Sequence, residues 1–396
     1  MSASRSADVV VVGGGIEGLA TAWALTSRGV RDVVVLERGS LASAGTGKSS
    51  GIVRCHYGVP SLAAMALRGT EVLEQARDLL DADVGFAQVG YVAAAGPENA
   101  DPFRASVAAQ QRLGVDTRLV DADDVRGLWP HARLDDFAVF AYEPRGGYGD
   151  AYSTAMAYAA QARRSGATIR PGTPVAELAL AGDRVAGVRT AGGELISAGA
   201  VVVAAGPWTP SLVAEHGVHV PLVVHREPIL LVDPGRPLGP VPVLSDLVRL
   251  QYIRPEPSGE LLLGNSDLAQ LEPADPDDYR NGADDAHVET AVAKFAHRFP
   301  TLDAALMSSY AGCYDVTPDF NPVISATPVD SLFIAAGFSG HGFKISAAVG
   351  ELLADLVLYG ESRAPAVPAS DFRLSRFADG DLTVTAHPYA GAGQLR

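Results

Sequence analysis

The sequence predicts an α/β fold built on a parallel sheet. Three observations predict it. An unbroken apolar run opens the chain at residues 9–12, followed by G-x-G-x-x-G and a helical pattern. A second apolar run, residues 200–204, ends in Ala-Gly-Pro-Trp. A third, near residue 332, leads through another glycine-rich turn into a long helix.

Each element has its own justification. Four consecutive valines at 9–12 suit a parallel strand buried on both faces. Gly13 permits the tight turn, Gly15 lets the backbone approach a pyrophosphate, and Gly18 lets helix and strand pack closely. Ile16, Leu19, Ala20 and Trp23 then recur at helical spacing. A second strand over 33–36 ends at Glu37, the distance at which a carboxylate accepts ribose hydroxyls and repels a 2′-phosphate. Strand, turn, helix and acid together point to a dinucleotide site, with a purely structural glycine turn as the alternative. The following "ASAGTGKSS" imitates a phosphate loop, but Ala42 stands where its opening glycine belongs.

Residues 166–210 alternate short strands with glycine turns before the 200–204 run. In "LFIAAGFSGHGFKISAAVGELLADLVLYG", Ile345, Val349, Leu352, Leu353 and Leu356 line one helical face. Glycine-turn helix starts thus come from the first and last thirds of the chain, with long segments between them.

Bulk properties narrow the function. A chain of 396 residues is long enough for two domains. The formal charge of −15 disfavours nucleic acid and anionic membrane surfaces. Cys55 and Cys313 are too few for a disulfide framework, no Cys/His grouping has zinc spacing, and no metal site is expected. No apolar run reaches a membrane-span length, and the N-terminal residues lack signal-peptide regions, so a soluble cytoplasmic protein is expected.

The motifs "SSGIVRCHYG", "AAGPWTP", "GCYDVTPDFNPVI" and "GFSGHGFKISAAVGELLADL", with Gly13–Gly18 and Glu37-Arg38, resemble the D-amino-acid oxidase superfamily of FAD enzymes. The sarcosine oxidase, dimethylglycine dehydrogenase and glycine oxidase branch is the nearest. That resemblance implies a Rossmann-like (GR2-type) FAD domain from 1–85, 146–220 and 326–376. It also implies a substrate domain from 86–145 and 221–325, a mostly antiparallel sheet with flanking helices, and a C-terminal tail over 377–396.

By the same resemblance, FAD contacts fall on Gly13, Gly15, Ile16, Glu17, Gly18, Glu37, Arg38, Gly47, Lys48, Ser49, Ser50, Val175, Ala205, Gly206, Trp208 and Gly312. They continue over Gly337, Phe338, Ser339, Gly340, His341, Gly342, Phe343 and Lys344. A cation in the first turn of a helix opposes the dipole, so Lys344 calls for a nearby anion; the family supplies a substrate carboxylate. A snorkelling lysine is the plain alternative. Arg54 falls where the family clamps that carboxylate bidentately, against a structural salt bridge. Tyr252 and Tyr314 align with pocket tyrosines, against simple core packing. His341 belongs to the turn, and the roles of His56 and Lys48 stay open.

Two departures matter. Many sarcosine oxidases carry a lysine over the flavin on the strand that here reads "GELLLGNSD", where Leu262 stands instead. Either another cation such as Lys48 serves O2, or another electron acceptor is used. The family's cysteine tether falls on Gly312, not Cys313, and its histidine tether falls on Lys48, so non-covalent FAD is expected.

The implied reaction is oxidation of the C–N bond of a small secondary, N-methyl or cyclic amino acid, with hydride passing to flavin N5. A homo-oligomer, a flavin-bearing dehydrogenase subunit of a hetero-oligomer, and a tailoring oxidase for a carrier-bound amino acid remain as alternatives.

Overall fold

A computed structural model describes residues 5–267 and 270–391. The chain adopts the α/β class expected from its sequence, with two large sheets. The first has eight strands, six of them in the order Val323–Ala326, Leu332–Ala336, Leu195–Val203, Arg5–Val12, Val33–Leu36, Thr168–Arg170. The last five run parallel, and Val323–Ala326 is antiparallel to its neighbour. A hairpin, Val175–Ala181 with Arg184–Thr190, joins through Leu195–Val203. The valine run of the first strand is buried on both faces because separate apolar clusters cover each side.

One of those faces carries the helices Ile16–Ser27, Pro60–Glu74, Ala151–Arg164 and Gly342–Tyr359. Their close approach depends on small residues. A Cβ at Gly350 would lie 2.5 Å from the Ala20 carbonyl, so glycine there lets the first and last of these helices touch along their backbones. Trp23 stacks on Tyr158 at 5.1 Å and pins a third helix to the same core.

The second sheet has nine strands, eight in the order Glu272–Pro273, Val223–Asp233, Leu261–Asn265, Gln251–Pro255, Val243–Asp246, Tyr91–Ala95, Val139–Glu143, Arg118–Val120. Ala305–Val316 pairs along nearly the whole of Val223–Asp233. All pairings are antiparallel except Val243–Asp246 with Tyr91–Ala95. Trp129, Phe295 and Phe299 pack one face; Tyr91, Phe103, Tyr252 and Leu262 belong to the other.

A two-stranded ribbon, Ile52–Val53 with Gly147–Tyr148, lies at the junction of the two sheets. Gly51, at φ +68°, approaches Gly149 so closely that a Cβ would fall 2.1 Å from its carbonyl oxygen. Among the described residues, no helix is long and apolar enough to cross a membrane.

Candidate active site

The first glycine turn is shaped by contacts that exclude side chains. Gly13 has φ +115°, and a Cβ on it would meet the Ala204 carbonyl oxygen at 2.2 Å. A Cβ on Gly18 would meet the Gly13 carbonyl oxygen at 2.0 Å. Gly15 is the N-cap of Ile16–Ser27, and the Ile16 N–H donates to the Thr46 hydroxyl oxygen at 3.0 Å. Glu37 is held at the lip of this turn: its carboxylate accepts the Gly14 N–H at 2.8 Å and the Gly39 N–H at 2.7 Å. A helix N-terminus with a carboxylate one strand away suits the diphosphate and ribose of a dinucleotide.

The second turn follows Leu332–Ala336. Gly337, Ser339 and Gly340 all have positive φ, and His341 is the N-cap of Gly342–Tyr359. Asp315 fixes this turn, accepting N–H bonds from Gly337 at 2.7 Å and Phe338 at 3.2 Å. Burial lifts the Asp315 carboxyl to about 6, against the lowering effect of those bonds. Glu17 is buried between the two turns, close to Gly342, with both carboxyl oxygens unpartnered. Burial, then the nearby Asp315, pushes it well above the carboxylate range.

Between the turns and the second sheet lies a cleft that opens to solvent. Ser50, Arg54, Tyr252, Tyr314, Gly340, His341 and Lys344 line it together, although they come from four distant parts of the chain. Arg54 and Lys344 are both buried. Burial, then the Arg54 charge, drives the Lys344 ammonium well below its usual value. Among the described residues, neither has a carboxylate at salt-bridge distance; Arg54 donates to the His56 carbonyl and lies 4.2 Å over the Tyr57 ring. His341 Nδ1 meets the Tyr57 hydroxyl at 3.3 Å, and burial plus the Lys344 and Arg54 charges keep the imidazole neutral.

Tyr252 lies flat across Gly264: a Cβ there would be 2.0 Å from its ring. Its hydroxyl faces Ser50 and Tyr314 without the alignment of a direct hydrogen bond. In Ala305–Val316, Gly312 and Tyr314 face the cleft side, and a Cβ on Gly312 would touch the Lys48 side chain at 2.9 Å. Cys313 points the other way, beside Arg226 and Asp275. Lys48 itself donates to Asn281 Oδ1 at 2.8 Å on an exposed edge. Leu262 is fully buried on the cleft face.

Several candidates lie outside the cleft. Arg38 pairs with Asp277 at 2.8 Å and covers the Trp208 ring at 3.7 Å, while the Trp208 indole N–H donates to the same carboxylate at 2.8 Å. Gly206, at φ +53°, opens that turn next to Ala205. Val175 starts the outer hairpin, half-buried against the sheet core. Gly47 backs onto the Ala42 carbonyl, the Ser49 hydroxyl oxygen accepts the Gly51 N–H, and Phe343 points into the helical core.

Sequence reading missed Ile52, Ser245 and Ser266 in the cleft wall and Asp315 behind the turn. It also missed Tyr389, whose hydroxyl meets His56 Nε2 at 3.0 Å from the C-terminal segment. Burial and Arg54 hold that histidine neutral, down to about 3. Asp315, a charge in an apolar strand just before a turn, was the one detectable signal.

Comparison with known proteins agrees with this geometry. The family model described as FAD dependent oxidoreductase matches residues 8–356. Sarcosine oxidase subunit beta of Arthrobacter sp is 30% identical over 393 residues, covering 96% of this chain and 93% of that one. The 4-methylaminobutanoate oxidase (formaldehyde-forming) of Paenarthrobacter nicotinovorans is 29% identical over 380 residues, covering 93% of this chain and 45% of that one. Among solved structures, L-proline dehydrogenase from P. horikoshii superposes with a TM-score of 0.87 at 25% identity, covering 96% of this chain and all of the other. The chain belongs to the FAD-dependent oxidoreductases of the D-amino-acid oxidase family.

Proposed function

We propose that this enzyme oxidises the C–N bond of a small amino acid whose nitrogen is N-alkylated or part of a ring. Bound FAD supplies the acceptor for the hydride from a carbon bonded to that nitrogen, and the imine product hydrolyses in water. The observation that carries this reading is the pair Arg54 and Lys344, two buried cations on one cleft without a carboxylate partner at salt-bridge distance among the described residues. Such a pair is costly to bury unless an anion joins it. A substrate carboxylate supplies that anion: the planar guanidinium takes it bidentately, and the ammonium fixes its second side. Orientation of the C–N bond to be oxidised follows from that grip.

The relatives support a substituted nitrogen, since sarcosine, 4-methylaminobutanoate and proline are all secondary amines. FAD fits the chain along Gly13, Gly15, Gly18 and Glu37 and along the turn before Gly342–Tyr359. The helix dipole there favours negative charge on a bound ligand. In this reading 1–85, 146–220 and 326–376 form the cofactor domain, and 86–145 with 221–325 the substrate domain. The test is anaerobic addition of sarcosine, proline, glycine and the matching amines without a carboxylate to the FAD-loaded protein. Bleaching by a secondary amino acid and not by its decarboxylated amine is expected. A bound flavin that none of these acids bleaches refutes the reading.

Leu262 favours a second reading, a dehydrogenase whose electrons leave to a partner, because it is buried at the position the resemblance reserves for a lysine serving O2. A relative that is a named subunit supports the same view. Turnover with O2 alone, compared with turnover with an artificial acceptor, separates the two.

A further inference from the structure

Behind the two cleft tyrosines stands a carboxyl to which none of the above gives a part. Glu227, in the middle of Val223–Asp233, is 3% exposed, and its Oε1 has no hydrogen-bond partner. Paired residues of neighbouring strands point to the same face. Glu227 is opposite Gly312, His225 opposite Tyr314, Ile229 opposite Gly264, and Gly264 opposite Tyr252. Glu227 therefore shares the cleft face with both tyrosines. Gly312 adds no side chain over Glu227, the Lys48 side chain packs against that glycine, and the Tyr252 ring and hydroxyl lie against Gly264, on the strand next to that of Glu227. On its other side Asn265 leads to Lys294, whose Nζ is 3.4 Å from Asn265 Oδ1 and half-exposed to solvent.

Oxidation at nitrogen needs the amine lone pair, yet a free amino acid arrives as an ammonium. One N–H proton must leave the substrate nitrogen. Arg54 and Lys344 are occupied by the carboxylate, and His341 is held too weak a base. We propose that Glu227 is the terminal acceptor of the substrate's ammonium proton, reached through the Tyr314 and Tyr252 hydroxyls. This rests on the amino-acid reading above. The step is balanced: the substrate N–H breaks as its proton moves to a phenol oxygen, whose own proton passes to Glu227 Oε1. No electrons are transferred. Glu227 acts through the tyrosines and is a positioning, proton-accepting residue.

Its surroundings suit the task. Burial lifts the carboxyl to about 8, with Asn265, Lys294 and Arg226 opposing, which makes it a far stronger base than an ordinary carboxylate. Burial raises the phenols of Tyr252, Tyr310 and Tyr314 and lowers His225 below 6.5. Arg226, on the opposite face, is engaged by Glu272 and Asp284. Lys294, on the helix side, is lowered by burial.

The experiment follows anaerobic flavin bleaching at saturating substrate across neutral to alkaline pH, using the FAD-loaded protein, E227Q and E227D. The wild type should speed up about tenfold per pH unit and level off above about 8. E227Q should lose that limb and slow about a hundredfold with substrate affinity nearly unchanged, while E227D keeps a limb. An E227Q enzyme that retains the wild-type limb and rate overturns the proposal, since the limb then belongs to the substrate amine. A second arm needs no turnover: pH-difference infrared spectra should show a carboxyl titrating near 8 in the wild type and missing in E227Q. Its absence from the wild type overturns the proposal even in an active enzyme, whereas a wild-type flavin bleached by no amino acid overturns the reading beneath it.

Discussion

The Tyr314 ring packs directly on Gly340: a Cβ at that glycine would come within 2.8 Å of the ring. This contact joins the glycine turn of the first sheet to the cleft wall of the second. Gly340 also has φ +83°, a conformation that alanine adopts only with strain. Gly340→Ala should cost about 1–3 kcal/mol of stability and weaken flavin retention, because the ring and the turn cannot both keep their places. Thermal unfolding and the FAD-to-protein ratio after gel filtration measure both effects. A fully loaded variant with an unchanged Tm contradicts the account.

Arg54 and Lys344 should be separable by pH. Arg54→Ala should weaken binding of substrate or of a simple carboxylate ligand by about 2–4 kcal/mol, the loss of a buried charge-assisted pair. Lys344→Met should weaken it less and also remove a pH dependence. The lysine is already held below its usual value by burial and by Arg54, so its charge is lost at lower pH than an exposed lysine's. A carboxylate binds the charged form, so wild-type affinity should fall as pH rises. Flavin difference spectra during ligand titration provide the measurement, and a flat wild-type profile identical to that of Lys344→Met refutes it.

The first sheet was legible in the sequence because its strands are continuous apolar runs tied to local glycine turns. The 9–12 run is the core of Arg5–Val12, and 200–204 is the end of Leu195–Val203. The second sheet was less legible because its order is set by pairings between distant strands, such as Val243–Asp246 beside Tyr91–Ala95. The cleft shows the same divide. Arg54, Tyr252, Tyr314 and Lys344 converge as expected, but their supports depend on contacts that spacing does not encode. Tyr389 reaches His56 across 333 residues of chain, and Ser245 joins the cleft only because it pairs with Tyr252. Glu227 did leave a mark, an acid set in "HREPILLV", where a buried strand would otherwise be apolar.

The buried acids also predict how stability varies with pH. Asp315 is lifted to about 6, Glu143 to about 7 and Glu227 to about 8, mainly by burial, and Glu17 well above its usual value. Each binds its proton more tightly folded than unfolded, so each stabilises fully below its unfolded value near 4 and loses that contribution as pH rises through its folded value. Asp136 and Asp319, lowered by Arg298 and Arg376, act oppositely and lose their contribution as pH falls below about 4. His56, lowered to about 3, and His341 oppose the acids up to the unfolded histidine value near 6.5. The Tm of the flavin-free protein should therefore decline from about pH 6.5 to 8. A Tm that climbs over that range refutes this.

Flavin attachment gives the last prediction. Side chains alternate along Ala305–Val316, so only one of two adjacent residues can face the cofactor side. Gly312 holds that position, against Lys48, and Cys313 is turned toward Arg226 and Asp275. The thiol is also a poor nucleophile: burial, then the Asp275 charge, pushes it up to about 11, so the thiolate is scarce at neutral pH. Acid precipitation of the holoprotein should release all its FAD into the supernatant, and Cys313→Ser should behave identically. Gly312→Cys moves a thiol into the cofactor-facing register. The contact it must relieve is with the Cβ of Lys48, a half-buried residue, so the turn Gly45–Lys48 must give way slightly. Any flavin left in the acid pellet should therefore appear only in Gly312→Cys. Flavin retained by the wild-type pellet and lost in Cys313→Ser would reverse the register and overturn the assignment.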